Sequence, residues 1–544
     1  MLPVKNNHVA YLILSISTAI LLTLAWQPFK ILPLVFIGFV PLLMLEKKIR
    51  SEQRDSFMWV FVYTWLALLL WNIGTVYWIW NASEGGALAA FVINSLPMVL
   101  PFMLYHRKNV RSGRENYVLL ISAWIAMELL QFHWDLAFPW LQLGNVFSYL
   151  PATVQWYEYT GVLGGSLWIC AVNIQLFRLL QYWTQLTRQQ NMNRVFNLVF
   201  FYLLTPLFLS GYILLNHEPH KDINTTYADI ILVQPNLDPY NDKFGGMSGE
   251  EQLRKMLLLA ESKIDSLTQF IILPETALQG GLEENNLSQQ PLVHLLYSFL
   301  KVHPNVSILT GIDSYRLYNE QEPHPATARR VRDEPRFFDA YNAALFINNY
   351  DSPEVYHKSK LVPGVEKMPY PEVFGFIEKY AINLGGTGGS LGSDGSSKVF
   401  NNKHKLGLAP IICYESVFAE FTASYVQKGA KILCIITNDG WWGNTPGYKQ
   451  HFDYGRLRAI ENRRYIARAA NTGISGFIDD QGEVMVRSEW WTESALRMRV
   501  PVLSKQTFYT EHGDWIAYLF LFILGFELIS LWRGSFQKQQ NQKY

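Results

Sequence analysis

Residues 408–418 read LAPIICYESVF, a short apolar run ending on a cysteine, with an aromatic residue and an acid directly after it. A run of this length, rich in β-branched residues and closed by polar ones, reads as a buried strand. Working outward, ADIILVQPN (228–236), QFIILPE (269–275), NVSILTGID (305–313), NAALFINN (342–349) and AKILCIITND (430–439) repeat the pattern. Helical stretches near 248–267, 288–303, 416–428 and 447–463 fall between them. Strands alternating with helices predict a layered α/β domain. The segment GGTGGSLGSDGS (385–396) cannot be a core element and reads as a loop. Residues 319–337, rich in charge and proline, read as a solvated excursion.

This pattern occupies only part of the chain. Of 544 residues, 49% are hydrophobic and 17% charged, against roughly 25% charged in ordinary soluble domains. The apolar excess lies in spans predicted near 9–27, 29–45, 57–80, 87–105, 117–134, 159–177 and 196–215, with one more at 515–532. Pro33 and Pro41 make the second span the weakest in pattern. Lys47, Lys48, Arg50 and Arg54 follow span two, and Arg107, Lys108, Arg111 and Arg114 follow span four. Arg178, Arg188 and Arg194 follow span six, and Arg533, Lys538 and Lys543 follow span eight. The intervening short loops hold almost no Lys or Arg. That alternation predicts cytoplasmic termini and places the α/β segment outside the membrane. The first segment lacks a small-residue cleavage site and is followed by another span, so it reads as an anchor. The expected division is a multi-span helical domain (1–216), an extracytoplasmic α/β domain (217–510) and a closing span with a cytoplasmic tail (511–544). A net charge of +1 offers no argument for a nucleic-acid partner. Three cysteines leave at least one free thiol.

Three chemistry-bearing residues sit at or just past the ends of apolar runs: Glu275 closes FIILPE, Lys358 follows the stretch 342–356, and Cys413 closes GLAPIIC. Strand ends can converge on one rim of a sheet, where clefts form. A thiol is mostly protonated near neutrality, yet the thiolate is the nucleophile. A carboxylate can take the proton, and an ammonium can hold the thiolate and a developing oxyanion. No histidine lies near these ends in sequence, which counts against a Cys–His arrangement. The bland readings are a helix-capping Glu275, a solvated Lys358 with Lys360 equally eligible, and a packed Cys413 or one bridged to Cys434. Cys434 and Cys170 read as core and membrane packing. Glu128, inside span five, reads as a hydrogen bond within the bundle or a position near the outer surface.

At these residues the chain resembles the nitrilase (carbon–nitrogen hydrolase) superfamily, which builds a Glu-Lys-Cys triad in an αββα sandwich. ILPET, HKSKLVPGVE and IICYE look like its three motifs, in its chain order; TNDGWWG and RLRAIENRRYIARAANTGISGFID are similar to later ones. The resemblance selects Lys358 over Lys360, three residues before Leu-Val-Pro. It implies Glu275 as general base, Lys358 as stabiliser of oxyanion and thiolate, and Cys413 as nucleophile. Glu366, Tyr414 and Glu415 take supporting places. GVEKMPY departs from the family's usual Phe-Gly-Glu at that loop.

With spans before and after the domain, and FPWLQLGNVF (138–147) before the sixth, the chain resembles the apolipoprotein N-acyltransferase branch. That resemblance implies acyl transfer through a Cys413 thioester, without cofactor or metal. The expected donor is a phospholipid, with phosphatidylethanolamine as the species, and the acceptor is the α-amine of a lipoprotein's diacylglyceryl-cysteine. The expected location is a bacterial inner membrane, with the catalytic domain on the periplasmic side. Tyr240, Phe244, Trp441 and Trp442 are candidate walls of an apolar cleft, and 385–396 a candidate lid or a passive linker. A membrane-anchored amidase, in which water resolves the thioester, would share the triad. A non-enzymatic binding protein would keep its activity after Cys413→Ala.

Overall fold

The computed structural model describes residues 7–52, 56–217, 226–239, 241, 243, 246–374 and 390–541. Two compact units emerge, one of residues 1–80, 84–216 and 512–544, the other of 81–83 and 217–511.

Among the described residues the first unit is all helix. Six helices there are long and apolar enough to cross a membrane: His8–Ala25, Ser56–Val76, Glu84–Ser112, Tyr157–Tyr182, Arg188–Asn216 and Trp515–Arg533. Tyr117–His133 is apolar but has only 17 residues. The expected span 29–45 is not one helix: a short 3-10 turn, Leu32–Phe36, precedes the helix Val40–Glu52. Pro33 and Pro41 account for the break, since each lacks the amide a helix interior needs. Glu128 is buried, accepting hydrogen bonds from Trp124 Nε1 and the Leu143 amide, both at 2.9 Å.

The second unit holds two sheets. Chain order gives β1 (Tyr227–Gln234), β2 (Phe270–Ile272), β3 (Leu278–Glu283), β4 (Ser307–Asn319), β5 (Arg329–Arg330), β6 (Arg336–Ile347) and β7 (Glu354–His357) to the first. The second takes β8 (Phe400–Asn401), β9 (Gly407–Ile412), β10 (Ile432–Thr437), β11 (Ile466–Ala470), β12 (Gly476–Ile478) and β13 (Val484–Arg487). Then β14 (Ser494–Pro501) returns to the first sheet, antiparallel to β1. The first sheet runs β14-β1-β2-β4-β6-β5, with β3 on β4 and β7 on β6; the second runs β13-β12-β11-β10-β9-β8. The central pairs β1–β2, β2–β4, β9–β10 and β10–β11 are parallel.

Side chains alternate across a strand, and here both faces are apolar. Ile230 and Leu232 of β1 enter the core between the sheets, beside Ile411, Ile435 and Phe477. Ile231 and Val233 turn outward, against Leu253, Met256 and Leu296 of the helices Gly249–Glu261 and Pro291–Val302. Tyr425, Phe452 and Ala459 bring the helices Ala419–Gln427 and Pro446–Asn462 onto the second sheet. The result is the helix–sheet–sheet–helix order expected from the motifs. Parallel strands carry their loops at one set of tips, and those tips hold the candidate site.

Candidate active site

Cys413 and Glu275 stand at strand tips where the backbone is bent, and Lys358 directly follows the end of β7. β9 ends at Ile412, and Cys413 turns out of it with φ +49°, opening a 3-10 turn to Val417. Thr276, after Glu275, has φ +48°. Non-glycine residues in this region cost about 1 kcal/mol or more and persist only where surroundings enforce them. Glu415 does the enforcing at the first tip. Its fully buried carboxylate accepts from the Ile412 amide at 2.8 Å, the Ser359 amide at 2.7 Å, Tyr356 OH at 2.6 Å and Tyr425 OH at 3.2 Å. One side chain thereby ties the Cys413 turn to the Lys358 loop.

At the second tip, Gly311 of β4 lies so close that a Cβ there would stand 2.4 Å from the Thr276 amide nitrogen and 2.6 Å from Glu275 Cα. Its own amide donates to the Pro274 carbonyl at 3.1 Å.

The carboxylates and ammoniums form one buried network. Lys358 Nζ donates to Glu275 Oε1 at 3.2 Å and to Glu366 Oε1 at 2.8 Å. Asn342 Nδ2 bridges the same two carboxylates at 2.8 and 2.9 Å. The Val362 amide fixes Glu366 Oε2 at 2.8 Å, so GVEKMPY seats its glutamate on the lysine despite its departure from the usual wording. Glu275 Oε2 accepts from the Asn438 amide at 3.0 Å. Asn438 follows the end of β10, and Ile436 pairs with Ile412 across the sheet, so Cys413 faces Thr437 on the neighbouring tip. Lys360 instead lies over the rings of Phe418 and Phe421.

Burial would raise the Glu275 carboxyl, but Lys358, the Asn342 amide and Lys243 outweigh it and hold the group below its usual range. Burial opposes the charge on Lys358 as well, yet Glu366 and Glu275 keep it firmly protonated. Cys413 goes the other way. Burial, then the charge of Glu275, push the thiol far up, with Lys358 only partly offsetting them. The resting site therefore pairs a thiol with an ionised carboxylate, and a base must act when the thiol does.

Two groups carry no local signal in the sequence. Lys243, 2% exposed, donates from Nζ to the Glu275 carbonyl at 3.1 Å and to Thr276 Oγ1 at 2.6 Å. Burial lowers it to about 8, against the opposing charges of Glu275, Asp313 and Cys413. His451, 38 residues from Cys413, sets Nε2 3.2 Å from the Cys413 carbonyl and 3.0 Å from Ser416 Oγ. Its Nδ1 stands 2.9 Å from Asp439 Oδ1 and 3.0 Å from an Arg468 nitrogen. A histidine thus does adjoin Cys413, supplied by the helix Pro446–Asn462. Burial and Arg468 depress its pKa. Ligand-type atoms of Cys413, Asp439 and His451 lie within 4.8 Å of one another. A metal does not fit there, because Arg468 already donates to Asp439 at 2.6 Å and occupies the cation's place.

Tyr414 is buried, its ring edge-on to Phe418. Trp441 and Trp442 are half-buried in the turn after β10, and Trp442 packs edge-on against His451. Tyr240 and Phe244 lie outside the described residues, as does the candidate lid up to residue 389. Its far end is anchored: the Leu391 amide donates to the Glu366 carbonyl and the Gly392 amide to that of Ala340, both at 2.8 Å. Cys413 and Cys434 are free thiols.

Residues 18–175 match the family described as apolipoprotein N-acyltransferase N-terminal domain, and residues 233–502 match carbon–nitrogen hydrolase. The chain is similar to the apolipoprotein N-acyltransferase of Chlorobaculum tepidum, with 30% identity over 509 residues and 92% of each chain covered. The one from Thermotoga maritima is 25% identical, covering 93% of this chain and 91% of its own. That of Geobacter metallireducens is 24% identical, covering 93% and 92%. A solved amidase from Nesterenkonia sp. is similar over 54% of this chain and 97% of its own, at 13% identity and a TM-score of 0.36, too distant to bear on the reaction.

Proposed function

The chain belongs to the apolipoprotein N-acyltransferase family, and from that premise we propose that it moves an acyl chain from a phospholipid to the α-amine of a lipoprotein's diacylglyceryl-cysteine, with Cys413 as the carrier. The observation that carries this reading is the buried Glu275–Lys358–Glu366 network beside a protonated thiol.

In the first half-reaction Glu275 takes the Cys413 proton as sulfur attacks the ester carbonyl. Lys358 faces the carbonyl oxygen as it becomes an oxyanion. The intermediate collapses, Glu275 returns the proton to the departing lysophospholipid oxygen, and a thioester remains. In the second, the lipoprotein amine attacks that thioester. Glu275 accepts its proton, sulfur leaves beside Lys358, and the thiol is restored as the amide forms. Glu366 holds Lys358 charged and in place throughout. A water-poor cleft favours survival of the thioester between the two steps. Trp441 and Trp442 are proposed as walls of that cleft, Tyr240 and Phe244 as further ones.

Phosphatidylethanolamine is the proposed donor. The positive-inside pattern supports cytoplasmic termini in a bacterial inner membrane, with residues 217–510 on the periplasmic side, where both lipid substrates would share one leaflet.

The test is intact-protein mass spectrometry after incubation with phosphatidylethanolamine, before and after neutral hydroxylamine. A hydroxylamine-labile gain of one acyl chain, absent in Cys413→Ala and discharged by a diacylglyceryl-cysteine peptide, is expected. Discharge by water alone would move the reading to a membrane-anchored amidase. Absence of both adduct and lysophospholipid would overturn the donor step.

A further inference from the structure

At one end of the helical unit, four helix ends surround a cleft of about 880 Å³. The helices Val40–Glu52, Glu84–Ser112 and Tyr157–Tyr182 bring it Arg50, Lys108 and Arg178 near their C-terminal ends, and the following loop adds Arg114. Helix Tyr117–His133 opens onto it with its N-terminus. These are the ends whose loops carry the excess of Lys and Arg.

The lining divides by chemistry. One side is cationic, as above; the other is apolar, made by Val118, Ile121, Ala171 and Ile174. Tyr117, Tyr182 and Tyr202 stand between, the amphipathic side chains that suit a boundary of oil and water. Arg178 lies over the Tyr117 ring, its guanidinium 5.9 Å from the centroid.

Charge accounting identifies what the cationic side lacks. Arg50 Nε donates to Glu46 at 2.9 Å, and Lys108 stands 3.5 Å from Glu527. That leaves Arg114 and Arg178 against Glu115. Among the described residues Arg114 has no carboxylate partner, and Glu115 is itself engaged by the hydroxyls of Tyr117 and Tyr182 and by the Gln181 amide. Arg50 Nη2 is buried with no hydrogen-bond acceptor, 3.6 Å from Glu115. Arg50, Lys108, Arg114 and Arg178 against Glu46, Glu527 and Glu115 leave about one positive charge on the lining, and Arg194, 5.5 Å over the Tyr182 ring, adds to it; this suits a phosphodiester, negative at neutral pH. A headgroup bearing an ammonium would meet repulsion there; an acyl chain would find the apolar wall.

We propose that this cleft binds an anionic phospholipid, its phosphodiester held by Arg50, Arg114 and Arg178 and an acyl chain laid on Val118, Ile121, Ala171 and Ile174. Basic pockets between membrane helices are suited to such headgroups. The lipid would brace four helix ends that otherwise hold like charges together. The site is separate from Cys413 and does not depend on the chemistry proposed there.

The test is native mass spectrometry of the full-length protein in detergent, titrated with phosphatidylglycerol or phosphatidylcholine of equal chain length. Wild type is expected to retain one phosphatidylglycerol at least fivefold better than phosphatidylcholine. Arg114→Gln with Arg178→Gln should abolish the preference, while Arg188→Gln with Lys301→Gln, both outside the lining, should keep it. Ala171→Phe, which leaves every charge in place and fills the apolar wall, should weaken retention of phosphatidylglycerol and guards against a double variant that fails to fold. Equal retention of the two lipids, or an unaltered preference in both Arg114→Gln/Arg178→Gln and Ala171→Phe, overturns the proposal. Inorganic phosphate raising Tm as far as phosphatidylglycerol does would assign the site to a free anion and overturn it as well.

Discussion

Lys243 shows how a side chain with no motif can govern one that has a motif. Its ammonium touches the backbone carbonyl of Glu275 and the Thr276 hydroxyl, and its charge favours ionisation of both Glu275 and Cys413. Lys243 is charged below about 8 and loses its proton above it. Thioester formation should therefore fall as pH rises through that value. Lys243→Arg should shift this limb upward, and Lys243→Met should erase it while slowing the reaction at neutral pH by about tenfold, equivalent to one pKa unit. Rapid-quench rates between neutral and alkaline pH check this; an unchanged limb in Lys243→Met would assign it to another group. Glu275 and Cys413 stood out as candidates because each closes an apolar run, and a strand that ends must present something at its tip; Lys358 was picked over Lys360 only by the resemblance of its motif. Lys243 follows a polar stretch with no periodicity, and His451 sits in the middle of a helix. Nothing local marks either one; only the chain's return brings them to the site.

The strand tips are made by close approach, and close approach can be tested. Gly311→Ala would drive a methyl into the Glu275–Thr276 backbone, so the tip must shift. Overpacking of this kind costs about 1–3 kcal/mol; Tm should drop and acyl transfer fall further than the loss of folded protein explains. The Asp439–Arg468 pair, joined to the Cys413 turn through His451, is wholly buried. Arg468→Leu takes the guanidinium from a buried carboxylate, a loss of about 3–5 kcal/mol, read as a lower inactivation temperature. Burial alone would raise the Asp439 carboxyl, yet Arg468 and His451 hold it well below 3.8. Its stabilisation is thus complete above that value and drains away as pH falls beneath it. Alternating strands and helices were legible as elements because their apolar runs are short and punctuated. The segment 29–45 was not: its composition is that of a span, while two prolines decide that its backbone is a turn and a separate helix.

For the whole chain, orientation is the property to measure. A cysteine placed at His404 should react with a membrane-impermeant maleimide in intact cells once the outer membrane is opened; one at Gly113 should react only after lysis. The reverse pattern would invert the proposed topology. Loop charge supplies the expected sidedness, because Lys and Arg resist translocation; the meeting of Glu275 with Lys358, 83 residues apart, was expected from the resemblance of their motifs, since only folding brings the two together. The left-handed backbone at Cys413 and Thr276 has a consequence for how such a sequence can change. Glycine relaxes that conformation, so glycine at 413 would remove the thiol proposed as nucleophile while easing its turn. Selection for heat endurance alone would drift toward a dead protein. Every laboratory lineage evolved for robustness must therefore be screened for catalysis in the same round.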